Sequence, residues 1–306
     1  MRAGVVDLGT NSTRLLVAEV DGERVEEVER RPVIRRLGEG VDERRKLLPL
    51  PIARVRNVLT DYRRELERLG AERVLTIATS AVRDAENGEA FLGEIEWSYG
   101  FTTRLLTGEE EAALTLRGVA TGQRLDEGTL VLDVGGGSTE LITTAERISI
   151  DVGSVRLTER HLGSDPPTPA ELEDAAREVR QLLPALGPSE AIGVAGTVTT
   201  LAALELGDYD RERVHGYRLS RDAVDRQLER LASLPLSKRR ELPGLEPERA
   251  PVIVGGALIV REVLDLYELD DLEVSERDLL HGAALEAAAL PEPVEGDAPP
   301  GAYTCC

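Results

Sequence analysis

The chain is expected to fold as an α/β protein of two related domains, on three observations. Strand-like and helix-like segments alternate along most of the sequence. A strand–turn–strand pattern at the start, VVDLGTNSTRLLVAE, returns in the middle as TLVLDVGGGSTELITT. With 306 residues there is enough material for two domains of ordinary size, each with its own apolar core.

The elements follow in order. AGVVDLG, TNS and TRLLVAEV read as strand, turn and strand, with a third strand around residues 25–36. A helix is predicted from about Pro51 to Leu69, where Ile52, Val55, Tyr62, Leu66 and Leu69 recur on one face. Pro51 suits its first turn and Gly70 its stop. RVLTIATSA is a buried strand ending in Ser80 and Ala81, and a helix from near Gly108 covers EEEAALTLRGVA. In the second hairpin Asp133 matches Asp7, Gly135 matches Gly9, Ser138 matches Ser12 and Thr139 matches Thr13. Common turn chemistry accounts for Gly, Asn and Ser alone; four matches at fixed offsets favour a repeat, with two domains facing each other. Thr168–Leu183 reads as a helix opened by Thr-Pro-Ala-Glu. AIGVAGTVTTLAAL is a strand turning tightly into a helix at Gly196, and APVIVGGALIVREVLDLY and SERDLLHGAALEAAAL are core helices. The expected domains are 1–124 and 125–290, with the last helix free to pack back on the first, followed by a disordered tail, 291–306.

Composition excludes several classes. Hydrophobic residues make up 41% and charged residues 31%, as in soluble globular proteins. No run approaches the roughly 20 apolar residues of a membrane span, and the strand-like start leaves no room for a secretory leader, so a cytoplasmic protein is expected. A net charge of −20 argues against nucleic-acid binding. A polyanionic substrate would have to be met locally, by metal ions, Arg side chains and backbone N–H groups gathered in one cleft. Cys305 and Cys306 sit in the tail with no metal-type spacing, and His161, His215 and His281 share none either. No Walker A, HExxH or Gly-x-Ser-x-Gly pattern is present.

The two hairpins carry the chemistry. Glycine lets a turn's backbone approach a phosphate, and exposed N–H groups then bind its oxygens. Asn11 and Ser12 in the first turn, and Gly135, Gly136, Gly137 and Ser138 in the second, form the predicted phosphate cradle. An Asp at the strand end points a carboxylate at the same space, and carboxylates with phosphate oxygens are the usual grip on Mg²⁺. Asp133 and Glu140 are therefore the candidate metal ligands, with Asp7 beside them and Mg²⁺ or Mn²⁺ as the ion.

DLGTNSTRLLVAEV, TIATSAVRDAENGEAFL, LLTGEEEAALTLRGVA, LVLDVGGGSTELI and VAGTVTTLAAL together resemble, in order over nearly the whole chain, the signature blocks of the exopolyphosphatase/guanosine-pentaphosphate phosphatase family. The resemblance implies two ribonuclease-H-like domains of the actin-like ATPase fold with an active-site cleft between them. It also implies a polyphosphate or guanosine polyphosphate substrate, and a homodimer. In Thr107-Gly108-Glu109-Glu110-Glu111-Ala112 the family's catalytic base falls on Glu111, which would orient and deprotonate the attacking water. Glu109 and Glu110 are better read as complements to a helix dipole. The family's phosphate-contacting arginine falls on Arg83, whose planar fork suits phosphate oxygens. Longer members carry a further helical region that this sequence lacks, and on that ground a leaning towards shorter chains is expected. The rival readings are an ATP-dependent kinase or ATPase that holds a nucleotide on GTVTTLAAL, and a non-catalytic guanosine-polyphosphate sensor.

Overall fold

The computed structural model describes residues 1–291, so the expected disordered tail, apart from Pro291, lies outside the described residues. Among the described residues two compact units emerge: Met1–Gln123 with Leu279–Pro291, and Arg124–Asp278.

The first unit runs β1 (Arg2–Leu8), β2 (Ser12–Asp21), β3 (Arg24–Ile34), α1 (Val41–Arg44), α2 (Pro49–Leu69), β4 (Arg73–Ala78), α3 (Ser80–Arg83), α4 (Gly88–Tyr99), β5 (Thr102–Leu105) and α5 (Gly108–Ala120). The second runs β6 (Thr129–Val134), β7 (Thr139–Ile142), β8 (Arg147–Ile150), α6 (Ser154–His161), α7 (Pro169–Leu182), β9 (Glu190–Val194), α8 (Ala195–Leu206), α9 (Arg211–Val214), β10 (Arg218–Ser220), α10 (Arg221–Ser233), α11 (Leu236–Arg239), α12 (Ile253–Leu266) and β11 (Asp271–Val274). α13 (Leu279–Ala288) belongs to the first unit.

The sheet of the first unit has the order β3-β2-β1-β4-β5 and that of the second β10-β11-β9-β6-β7-β8. In each, a three-strand antiparallel meander is extended by parallel strands beside its first strand: β4 beside β1, and β9 beside β6. The repeat seen in the sequence is thus a repeat of topology.

In the first unit both faces of the sheet are covered, which is why β1 is apolar almost throughout. Val6, Leu8 and Leu15 pack with Val55, Leu59 and Tyr62 of α2 on one face. Ala3, Val5 and Leu16 pack with Leu114 of α5 and Leu280, Ala283 and Ala284 of α13 on the other. α13 lies so close to α5 that a Cβ on Gly282 would stand 2.0 Å from the Leu114 carbonyl oxygen. The buried His281 faces Glu27 of β3 at 2.7 Å and ties α13 down further, a structural role as expected of the histidines.

Four boundaries differ from the sequence expectation. α2 begins at Pro49, because this proline and not Pro51 takes the first position. β4 stops at Ala78, where its ladder partners Leu8 and Leu105 also run out, and Ser80–Arg83 close into a helical turn on the Thr79 carbonyl. The strand-to-helix turn in the second unit is made by Ala195, at φ 65°, and not by Gly196, which lies against the Arg249 guanidinium. The last helix starts at Leu279 and not at Ser275, whose N–H extends the ladder to the Gly193 carbonyl.

In α7 the expected opening is a capping box, Thr168 with Glu171. The Thr168 backbone N–H is the main cause that lowers the Glu171 carboxyl to about 2. The cap's contribution is therefore full at neutral pH and fades as the pH falls from the ordinary carboxylate range towards that value. Among the described residues, no helix is long and apolar enough to cross a membrane.

Candidate functional site

The two hairpins close alike: the Gly9 N–H donates to the Ser12 carbonyl at 3.1 Å, and the Gly135 N–H to the Ser138 carbonyl at 3.1 Å. One step further from each turn they diverge. Asp7 stands opposite Arg14, whereas Asp133 stands opposite Glu140. Directly opposed residues share a face of the sheet, so these side chains meet. In the first hairpin Arg14 Nε donates to Asp7 Oδ2 at 2.7 Å, neutralising a carboxylate that is 2% exposed. Burial, and then the Asp7 charge, push the Tyr62 hydroxyl beneath it above the usual tyrosine range. In the second hairpin two carboxylates face each other, Asp133 at 5% and Glu140 at 1% exposure.

A hard divalent cation suits that second pair. Among the described residues no group of three or more His, Cys, Asp or Glu is arranged to hold a metal alone. Two facing carboxylates, with phosphate oxygens and water completing the shell, are the donor set expected for Mg²⁺ or Mn²⁺. Asp7, by contrast, has Arg14 on its Oδ2. Ser149 stands opposite Glu140 on β8, and its hydroxyl donates to Glu140 Oε1 at 2.8 Å. Such a bond fixes the carboxylate's rotamer, as outer partners of metal ligands do. Ser149→Ala is expected to raise the half-saturating Mg²⁺ concentration by about 10–100-fold, with Ser149→Thr recovering most of it; a metal titration of activity checks this.

The glycine turn is built from below. Ser154 N–H donates to the Gly135 carbonyl at 2.9 Å, and Val155 N–H to the Gly136 carbonyl at 2.8 Å, so the start of α6 gathers the turn's carbonyls. Among the described residues the Gly136 and Gly137 N–H groups have no backbone acceptor. They are donors of the kind that bind phosphate oxygens. Gly153 permits this approach: a Cβ there would lie 2.6 Å from the Gly136 carbonyl carbon and oxygen. Ser138 is buried in the same turn.

In the first unit, Asn11 is buried at the turn, and both polar atoms of its side-chain amide have no hydrogen-bond partner among the described residues. An unsatisfied buried amide calls for an explanation, and a bound anion is one. Ser12 lies next to it at the start of β2, half-buried. The three adjacent glutamates separate by environment. Glu109 is exposed. Glu110 closes the capping box with Thr107 and pairs with Arg104 at 2.7 Å. Glu111 is 7% exposed, with Oε2 3.4 Å from Arg83 Nη1. Arg83 is held in turn by donation to the Leu106 carbonyl at 2.8 Å. The structure thus brings Arg83 and Glu111 together, and brings Asp133 and Glu140 together beside Gly135, Gly136, Gly137 and Ser138.

Arg14, Ser149 and Gly153 were not singled out from the sequence. Arg14 was within reach, since it occupies in the first hairpin the place of Glu140 in the second. Ser149 and Gly153 needed the β8 register and the approach of α6.

Two sheets of one topology, each opening on an Asp-led turn, are the architecture of the actin-like class. Residues 16–289 match the model of the Ppx/GppA phosphatase family, and the chain belongs to that family. It is 41% identical over 316 aligned positions to exopolyphosphatase 2 of Mycobacterium tuberculosis, covering 94% of this chain and 98% of that one. Guanosine-5'-triphosphate,3'-diphosphate pyrophosphatase of Vibrio atlanticus is 28% identical, over 92% of this chain and 58% of its own length. The PPX-GPPA enzyme of Aquifex aeolicus superposes with a TM-score of 0.79 at 31% identity, over 94% of this chain and 99% of that one.

Proposed function

We propose that this chain releases terminal orthophosphate from inorganic polyphosphate, with the 5'-phosphate of guanosine pentaphosphate as a second substrate. The carrying observation is the pair of facing, buried carboxylates, Asp133 and Glu140, beside a glycine turn in which the Gly136 and Gly137 N–H groups have no backbone acceptor among the described residues, in a member of a phosphatase family. Glu111 takes the role of general base: it orients the attacking water and accepts its proton. Arg83, 3.4 Å away, faces that carboxylate and offers its remaining N–H groups to the phosphate chain. Asn11 and Ser12 supply further polar contacts to the phosphates, and Gly136, Gly137 and Ser138 hold the oxygens on which charge develops. Asp133 and Glu140 would hold Mg²⁺ or Mn²⁺, which when bound offsets that charge. Asp7, matched by Arg14, shapes the first turn and stays outside the metal shell. The reading includes a cytoplasmic homodimer that takes neither nucleic acid nor membrane as a partner.

Polyphosphate is preferred over the guanosine substrate because the relative named exopolyphosphatase 2 is matched at 41% over almost its full length, against 28% over 58% for the guanosine pyrophosphatase. Phosphate release from the two substrates, with Mg²⁺ and with chelator, tests this. Metal-dependent release with the higher kcat/KM on polyphosphate is expected. No release from either would refute the proposal, and a reversed ratio would overturn the preference.

A further inference from the structure

A concentration of positive charge borders the first turn. Residues 30–46 carry seven Arg and Lys against three Asp and Glu, in a chain whose net charge is −20. The end of β3 and the loop that follows are pinned to the turn: Arg35 and Arg36 N–H groups donate to the Asn11 carbonyl at 3.1 and 2.8 Å, and Gly38 N–H to the Thr10 carbonyl at 2.9 Å. At its far end the loop is pinned beside Arg83. Glu86 N–H donates to the Arg45 carbonyl at 2.8 Å, and the Asn87 amide bonds both the N–H and the carbonyl of Leu47. The loop therefore bridges, within the first unit, the Asn11 turn and the segment that follows Arg83.

Most arginines of this acidic chain are paired with a carboxylate, but Arg35, Arg44 and Arg45 have none within 4.0 Å among the described residues. Arg35 is half-buried, its Nη1 donating only to the Ile34 carbonyl at 2.9 Å. Arg44 and Arg45 are exposed on a loop stiffened by three left-handed residues, Arg36 at φ 51°, Gly40 at φ 71° and Arg45 at φ 53°. Three unneutralised guanidiniums on one anchored loop, with acidic residues available elsewhere in plenty, are an arrangement for an outside anion. The shape of that anion follows from the placement. A single phosphate at the turn does not extend along the loop, whereas a linear chain does. The loop offers no aromatic side chain on which a base could stack, which disfavours a single-stranded nucleic acid.

We propose that Arg35, Arg44 and Arg45 form a subsite for the phosphates of inorganic polyphosphate beyond the terminal one, so that the protein favours long polyphosphate. The subsite rests on the function proposed above and runs against the expected leaning towards shorter chains.

The test compares wild type with the triple variants Arg35→Ala/Arg44→Ala/Arg45→Ala and Arg35→Lys/Arg44→Lys/Arg45→Lys on triphosphate and on long-chain polyphosphate. In the alanine variant the KM for the long chain should rise about tenfold more than that for triphosphate, and the lysine variant should recover most of the difference. The slope of log Kd against log salt for the long chain should fall by roughly two, as three phosphate contacts are lost. Equal KM changes on both substrates, or none, would overturn the subsite. Competition by a single-stranded oligonucleotide as strong as that by polyphosphate would do so too. Should wild type release no phosphate at all, the proposed function fails, and equilibrium binding of long-chain polyphosphate decides the subsite: about tenfold weaker binding by the alanine variant supports it, and equal binding overturns it.

Discussion

Replacing Glu111 by Gln is expected to lower kcat by ~10²–10⁴-fold while leaving KM near that of wild type. The amide fills the same volume and can still accept from Arg83, so the buried pocket at 7% exposure keeps its shape. What it loses is the capacity to take a proton from water, which acts in the transition state and not in substrate binding. Glu110→Gln serves as the contrast. Its carboxylate accepts from the Thr107 N–H at 2.8 Å and pairs with Arg104, so the loss should appear as about 1 kcal/mol of stability with kcat little altered. Single-turnover kinetics and thermal unfolding of both variants separate the two roles. Equal losses of kcat in the two would remove Glu111 from its assigned place.

Gly153→Ala has the second largest expected effect, although the residue bears no functional group. Its Cβ would lie 2.6 Å from the Gly136 carbonyl and 2.7 Å from the Gly137 nitrogen, and both obstacles are backbone that cannot swing aside. Either α6 withdraws, releasing the Gly135 and Gly136 carbonyls, or the turn shifts and its N–H groups miss the phosphate. A misplacement of about 1 Å costs on the order of 10²-fold in rate, and an overpacked site loses about 1–3 kcal/mol. The expected outcome is a kcat/KM about a hundredfold down in a protein that still folds. Activity within about twofold of wild type would show that the turn is not held by α6 in the way its contacts imply.

Much of this was legible in the sequence because it rests on local rules. The period of α2, the capping signature at Thr168 and the alternation of strands with helices each depend on residues close together in the chain. The repeat was legible because Asp, Gly, Ser and Thr fall at the same offsets, and the two sheets share their topology accordingly. Three features were not legible, each for a long-range reason. Where β4 ends depends on where its neighbours end, not on its own apolar run. Ala195 rather than Gly196 takes the left-handed turn, and the guanidinium that lies against Gly196 comes from Arg249, far along the chain. The different settings of Asp7 and Asp133 depend on the residue across the strand pair, Arg14 in one case and Glu140 in the other. The three adjacent glutamates were equivalent by composition. Arg104 and Arg83, which approach from β5 and α3, distinguish them.

That contrast between the hairpins is the central claim, and a Mg²⁺ titration of phosphate release by wild type, Asp7→Asn and Glu140→Gln tests it most directly. If the second hairpin holds the cation, the half-saturating Mg²⁺ concentration for Glu140→Gln should rise by about a hundredfold or more, with Asp7→Asn within about threefold of wild type. Mn²⁺ bound to the protein, read by electron paramagnetic resonance, gives the same comparison where turnover is too slow to follow. A large shift for Asp7→Asn with none for Glu140→Gln would place the metal on the first hairpin and contradict the account.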